Sequence, residues 1–209
     1  MEKKVGDWQV IYRARSRNGQ SVVKSYMKLG GASEQTEKNS ACVSNNGRDY
    51  CRKNYRHSMI DRWDSSKVEK VRLELYHDGQ MVAHIVFNGT ATTSTSWFSQ
   101  DRVISSNWFD LKEPNTEEGK QFSFFGYSNN DIDRRLYINK HWKGGCSFHK
   151  GWMMVIEGLD RGNGCNYEVS LSYPVFLYNP HTYADFYDDF KREADVLVIS
   201  VIAKRVNAV

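Results

Sequence analysis

Short apolar runs bounded by turn residues recur along this chain, and some alternate with the two-residue period of strands that bury one face. WQVIYRAR (Trp8–Arg15) reads this way, and Asn18-Gly19 offers a tight turn into SVVKSYMKL, so the spacing predicts an opening hairpin. Residues 30–53 turn polar and rich in Gly, Ser and Asn, the composition of a long loop. Tyr55, Met59 and Trp63 then recur four apart and predict a short helix over Asn54–Asp64 that caps the core.

The sharpest local signal is KVEKVRLELYHDGQMVAHIVFNG, where Asp78-Gly79 suits a two-residue type I′ turn. Pairing outward from that turn places His77 opposite Gln80, Leu75 opposite Val82, Leu73 opposite His84 and Val71 opposite Val86. His84 would then lie among apolar side chains, where a histidine is more often a hydrogen-bonded core residue than a base. Further short apolar runs span Ser96–Leu111, Gln121–Ser128, Arg134–Trp142, Gly151–Gly158, Cys165–Tyr178 and Ala194–Lys204. The last is expected to pair with the Trp8 run and bring the termini together. Tyr183, Phe186, Tyr187 and Phe190 keep helical spacing and predict one amphipathic helix. The fold class is all-β: one antiparallel β-sandwich or jelly-roll domain over residues 1–209, with one or two short helices.

Composition narrows the function classes. Only Pro114, Pro174 and Pro180 occur and no Pro/Ser/Gly-rich linker divides the chain, which supports a single domain. The net charge of +4 is interspersed rather than gathered into a basic stripe, so nucleic acid is not an expected partner. No apolar run approaches the roughly 20 residues that cross a bilayer. The start, MEKKVGDWQV, lacks the apolar centre of a signal peptide, so it is either a cytosolic terminus or an added Met on a mature fragment.

The cysteines decide between those two. Cys42, Cys51, Cys146 and Cys165 are an even set whose spacing favours Cys42 with Cys51 and Cys146 with Cys165, each closing a Gly- and Asn-rich loop. Disulfides imply an oxidising compartment, hence a secreted protein, and the sequon Asn88-Gly89-Thr90 fits that location. A zinc site using Cys146 and His149 is the competing arrangement, but no second close Cys or His pair accompanies them.

Candidate chemistry gathers between Trp97 and Cys165. Trp97, Trp108, Trp142, Trp152, Tyr127 and Tyr137 offer faces on which sugar rings could stack, with Trp142 before Gly144-Gly145 the leading surface residue and Trp152 expected in the core. Arg135 could grip a carboxylate or sulfate, and His149 could border the same site. Asn129, Asn130, Asp131 and Asp133 present oxygen ligands for a calcium ion, although the same composition makes ordinary turns. Enzyme signatures are thin: there is no G-x-S-x-G, H-E-x-x-H, Walker loop or dinucleotide fingerprint. Asp110, Glu157 and Asp160 could pair as glycosidase carboxylates, but sequence does not show their separation.

SWFSQDRVISSNWFDL, RRLYINKHWKGGC, GWMMVIEG and ADVLVISVI resemble motifs of a largely uncharacterised secreted domain that recurs in extracellular proteins of molluscs and other invertebrates. The resemblance covers most of the chain; it implies a secreted, disulfide-bonded β domain and brings no catalytic residues with it. The expected function is a non-enzymatic extracellular binding module for a glycan or matrix partner, using Trp142, Arg135, Tyr137, His149 and Trp108. The alternatives are a polysaccharide hydrolase or lyase on a β-sandwich, and a self-assembling secreted protein.

Overall fold

The computed structural model describes residues 8–30, 34–35, 40–43, 53–64, 66–112, 121–128, 132–141, 145–159, 164–187 and 192–204. Strand β1 (Gln9–Arg15) leads into helix α1 (Val22–Met27), then β2 (Glu34–Gln35) and β3 (Asn54–Arg56). The long hairpin β4 (Val68–His77) and β5 (Gln80–Asn88) follows, with β6 (Val103–Ser106), β7 (Gln121–Ser123) and β8 (Tyr127–Ser128) after it. The chain continues through β9 (Ile132–His141), β10 (Lys150–Leu159), β11 (Val175–Tyr178), β12 (Ala184–Asp185), β13 (Arg192–Ala194) and β14 (Val196–Ala203).

The strands form two sheets. The first runs β2-β3-β1-β14-β4-β5-β6 and the second β13-β11-β10-β9-β7, with β12 on β10 and β8 on β9. Among the described residues every pairing is antiparallel except the short β2–β3 contact. As expected, β14 pairs with β1, Ile199 lying opposite Tyr12. One core cluster joins Ala14, Leu73, Leu75, Leu197 and Ile199 of the first sheet with Leu136, Ile138, Met153, Val155 and Phe176 of the second. That shared interior makes the pair a sandwich, each sheet burying one face against the other. The second sheet also covers part of its outer face, where Tyr137, Met154, Ile156, Tyr167, Val175, Leu177 and Phe186 form a smaller cluster. Its strands are therefore buried on both sides, which explains the uninterrupted Met153–Ile156 run.

Several local expectations are corrected. SVVKSYMKL is helix α1, not a second hairpin strand. Ser21 caps it by accepting from Lys24 N, Lys28 closes it at φ 56°, and Val22, Val23, Ser25 and Tyr26 are buried at helical spacing. Glu157 of β10 adds a cap from outside, accepting from Val23 N at 3.0 Å. Asn54–Asp64 is strand β3 and then a 3-10 turn (Ser58–Arg62), so Tyr55 packs with Cys42 while Trp63 enters the main core. Only Val103–Ser106 of the Ser96 run and Val175–Tyr178 of the Cys165 run are strand. Of the helix expected from Tyr183 to Phe190, the described part through Tyr187 instead holds the two-residue strand β12, which docks on β10 and places Phe186 in the outer cluster; Phe190 lies outside the described residues.

The β4–β5 turn is as expected, Asp78 and Gly79 both taking positive φ and His77 facing Gln80. A bulge at Leu75/Tyr76 then slips the register, pairing Leu75 with Ala83, Leu73 with Ile85 and Glu74 with His84. His84 consequently shares a face with Glu74, away from the Leu73 and Ile85 core.

Candidate functional site

The chemistry-rich stretch of the sequence folds onto the outer face of the second sheet. Cys146 and Cys165 form the expected disulfide, Cα atoms 5.5 Å apart, which removes both sulfurs from any zinc site. Cys42 is disulfide-bonded too, and its expected partner Cys51 lies outside the described residues. Beside the bridge, Arg134 forks onto Glu168, donating through Nη2 at 2.9 Å and through Nε. Glu168 also accepts from Cys165 N at 2.8 Å. Both partners are buried, so their desolvation is offset by a complete set of charge-assisted bonds. His149 Nδ1 lies 2.5 Å from the Tyr167 hydroxyl. Burial holds the Tyr167 phenol well above its usual range, with the Glu168 charge adding and Arg134 opposing.

The expected binding residues are mostly committed elsewhere. Trp108 is 1% exposed and donates Nε1 to Asn179 O, so it offers no face to a sugar. Tyr137 and His149 are also buried, within the outer cluster and against Tyr167. Trp97 is fully buried and donates to Ser94 O; Trp152, core as expected, donates to the buried Asp110 at 2.7 Å. Asp110 accepts from Tyr183 N and Thr182 Oγ1 as well, so it is a structural anchor rather than half of a carboxylate pair. Arg135 donates to Phe125 O at 2.7 Å and Asp133 at 3.0 Å and approaches Glu157 at 3.6 Å. That fastening uses the Asp133 carboxylate assigned to calcium. Asn129, Asp131 and Trp142 lie outside the described residues, and among the described residues no group of three or more His, Cys, Asp or Glu side chains converges as a metal needs.

Among the described residues an open concavity lies elsewhere, where the 3-10 turn and Trp63, Asp64, Lys67 and Val68 meet the loop after β5. Two adjoining hollows of about 500 and 440 Å3 share Trp63, Asp64 and Thr93. Trp63 is the floor between them, donating Nε1 to Thr92 Oγ1 at 3.2 Å, while Thr92 donates to Gly89 O at 2.7 Å. On one side Arg56 donates twice to Asp61, at 2.8 and 2.6 Å, and Lys28 donates at 3.0 Å. This Arg56 fork holds the Asp61 carboxyl well below the usual carboxylate range. On the other side Lys204 approaches Glu69 at 3.6 Å.

Asp64 and Lys67 differ from these neighbours. Both are exposed on the cleft wall, and among the described residues neither side chain has a hydrogen-bond or ion-pair partner. The backbone here is strained, because Lys67 (φ 47°) and Ala91 (φ 56°) take left-handed conformations without being glycine and both line the larger hollow. Such strain concentrates where a structure holds groups for a ligand. The residue pattern did not reveal this cleft, because it placed Trp63 on the face of a short helix that caps the core. The available signal was the hydroxyl run Thr90–Ser96 directly after a strand, since loops of that kind carry exposed polar groups.

Set against known proteins, the chain matches no family model, no curated protein and no solved structure.

Proposed function

We propose that this protein is a secreted, non-enzymatic binding module that holds a glycan of the extracellular matrix in the Trp63 cleft. The observation that carries the reading is the pair Asp64 and Lys67, exposed and without partners among the described residues, on the wall of a concavity of about 500 Å3. A sugar hydroxyl both donates and accepts, so a carboxylate and an ammonium on one wall can hold neighbouring hydroxyls. The cleft size falls within the usual range for small-ligand sites, roughly 300–1,000 Å3.

Charge narrows the ligand. Asp61, Asp64 and Glu69 line the hollows against Arg62, Lys67 and Lys204, three acidic and three basic groups. A balanced wall gains nothing from a polyanion, which favours a neutral glycan over a sulfated one. The disulfide supports the extracellular setting. The test is a glycan array carrying neutral and sulfated chains. Binding to neutral glycans is expected, with loss of at least tenfold in affinity for Asp64→Ala and Lys67→Ala at unchanged circular dichroism. An array that stays blank sinks the glycan reading, and product release from a polysaccharide panel overturns the non-enzymatic one.

A further inference from the structure

We propose that Asn88 carries an N-linked oligosaccharide. Asn88 is the last residue of β5, is exposed, and begins the sequon Asn88-Gly89-Thr90. Its Oδ1 accepts from Thr90 N at 3.0 Å, an Asx turn that fixes the carboxamide and turns the acceptor side of the amide inward. Among the described residues Nδ2 makes no hydrogen bond, and neither does the exposed Thr90 hydroxyl. Thr92 offers the contrast two positions on: its hydroxyl is buried and committed to Trp63 and Gly89 O. Within one loop, then, one threonine builds the fold and the other stands with its hydroxyl unused beside an accessible asparagine amide.

The middle residue has its own explanation. A Cβ at position 89 would meet Val68 Cγ1 at 2.8 Å, so packing against β4 requires glycine there whatever happens at Asn88. Packing does not require Asn88 or the Thr90 hydroxyl. An aspartate would close the same Asx turn, and a valine would keep the Thr90 backbone N–H.

The reaction is a transfer from a polyprenyl-diphosphate-linked oligosaccharide. Asn88 Nδ2 attacks the anomeric carbon and a C–N bond forms. The anomeric C–O bond breaks, its electron pair leaves with the diphosphate, and Nδ2 gives up one proton. The first sugar then stands beside Lys70, which lies directly across the ladder from Asn88. This inference goes beyond the cleft reading: its acceptor, Asn88, does not line the cleft, although Gly89 and Thr90 line the larger hollow, and both readings require passage through a secretory pathway.

The full chain, led into the secretory pathway of insect cells by an added leader, supplies the test by intact mass before and after peptide-N-glycosidase F. One oligosaccharide increment is expected, removed by the enzyme with conversion of Asn88 to aspartate, and absent from both Asn88→Asp and Thr90→Val. Secreted protein with the Cys146–Cys165 bridge formed and no increment overturns the proposal, as does an increment that survives in Asn88→Asp. Glycan-array binding is read separately, so either proposal can fail alone.

Discussion

The disulfide end of the second sheet and the Trp63 cleft are built from the same kinds of side chain, yet they spend them in opposite ways. At the disulfide end Arg134, Glu168, His149, Tyr167 and Cys165 are buried and bonded to one another. At the cleft Asp64 and Lys67 face solvent without a protein partner among the described residues, although Asp61, in the 3-10 turn just before Asp64, is fully engaged by Arg56. A dense run of Arg, His, Trp and Cys in a sequence therefore marks chemistry that the fold needs as readily as chemistry a ligand needs. Only the state of each group's hydrogen bonds separates the two.

The strongest way to break this comparison is to cut the buried ion pair. Arg134→Met leaves Glu168 charged and unpaired in the interior and should cost about 3–5 kcal/mol in denaturant unfolding. Arg134→Met with Glu168→Leu should recover part of that loss, because no charge is then stranded. If the single variant unfolds normally but loses ligand, the disulfide end is the binding site and the comparison is reversed. Replacing the bridge by Cys146→Ser and Cys165→Ser comes next. With a sequence separation of 19 residues, the lost constraint on the unfolded chain amounts to about 3 kcal/mol, measured by the same unfolding curve.

A pH series sharpens the contrast further. Burial, with help from the Glu74 charge, pushes the Tyr76 phenol from 10.0 up to about 12, and Tyr26, Tyr137, Tyr167 and Tyr178 are raised in the same direction. The unfolded chain releases these protons first, so the stability they hold is complete below pH 10 and falls as pH rises through the folded values. Thermal midpoints should drop between pH 10 and 12, and Tyr167→Phe should flatten that drop. Asp61 works from the acid side: its lowered value means that its contribution is present above the ordinary carboxylate range and disappears as pH falls below it.

The smallest effect on stability belongs to the cleft. Asp64→Ala has no partner to strand and should move the unfolding free energy by no more than about 0.5 kcal/mol. A larger loss would mean that Asp64 supports the fold, and the contrast with Glu168 would vanish.

Local pattern marked most of the long strands and the Asp78-Gly79 turn, because alternation and tight-turn chemistry are local properties, and the expected pairing of the last strand with the first holds. The Cys146–Cys165 bridge was legible for a similar reason, since two near loops left few pairings. Tertiary structure decided the rest. Glu157, far along the chain, adds to the Ser21 cap that holds SVVKSYMKL as a helix, and Ala184–Asp185 became a strand because Lys150–Gly151 of β10 lies beyond its pairing with β11. The register slip at Leu75/Tyr76 that moved His84 to the Glu74 face has no marker in a residue pattern. Trp108 and Tyr137 were legible as aromatic but not as buried, because what covers a side chain comes from strands distant in sequence. The cleft arises where the turn after β3 and the loop after β5 meet, and a group left unbonded by that meeting is a property of the packed molecule, not of any one segment.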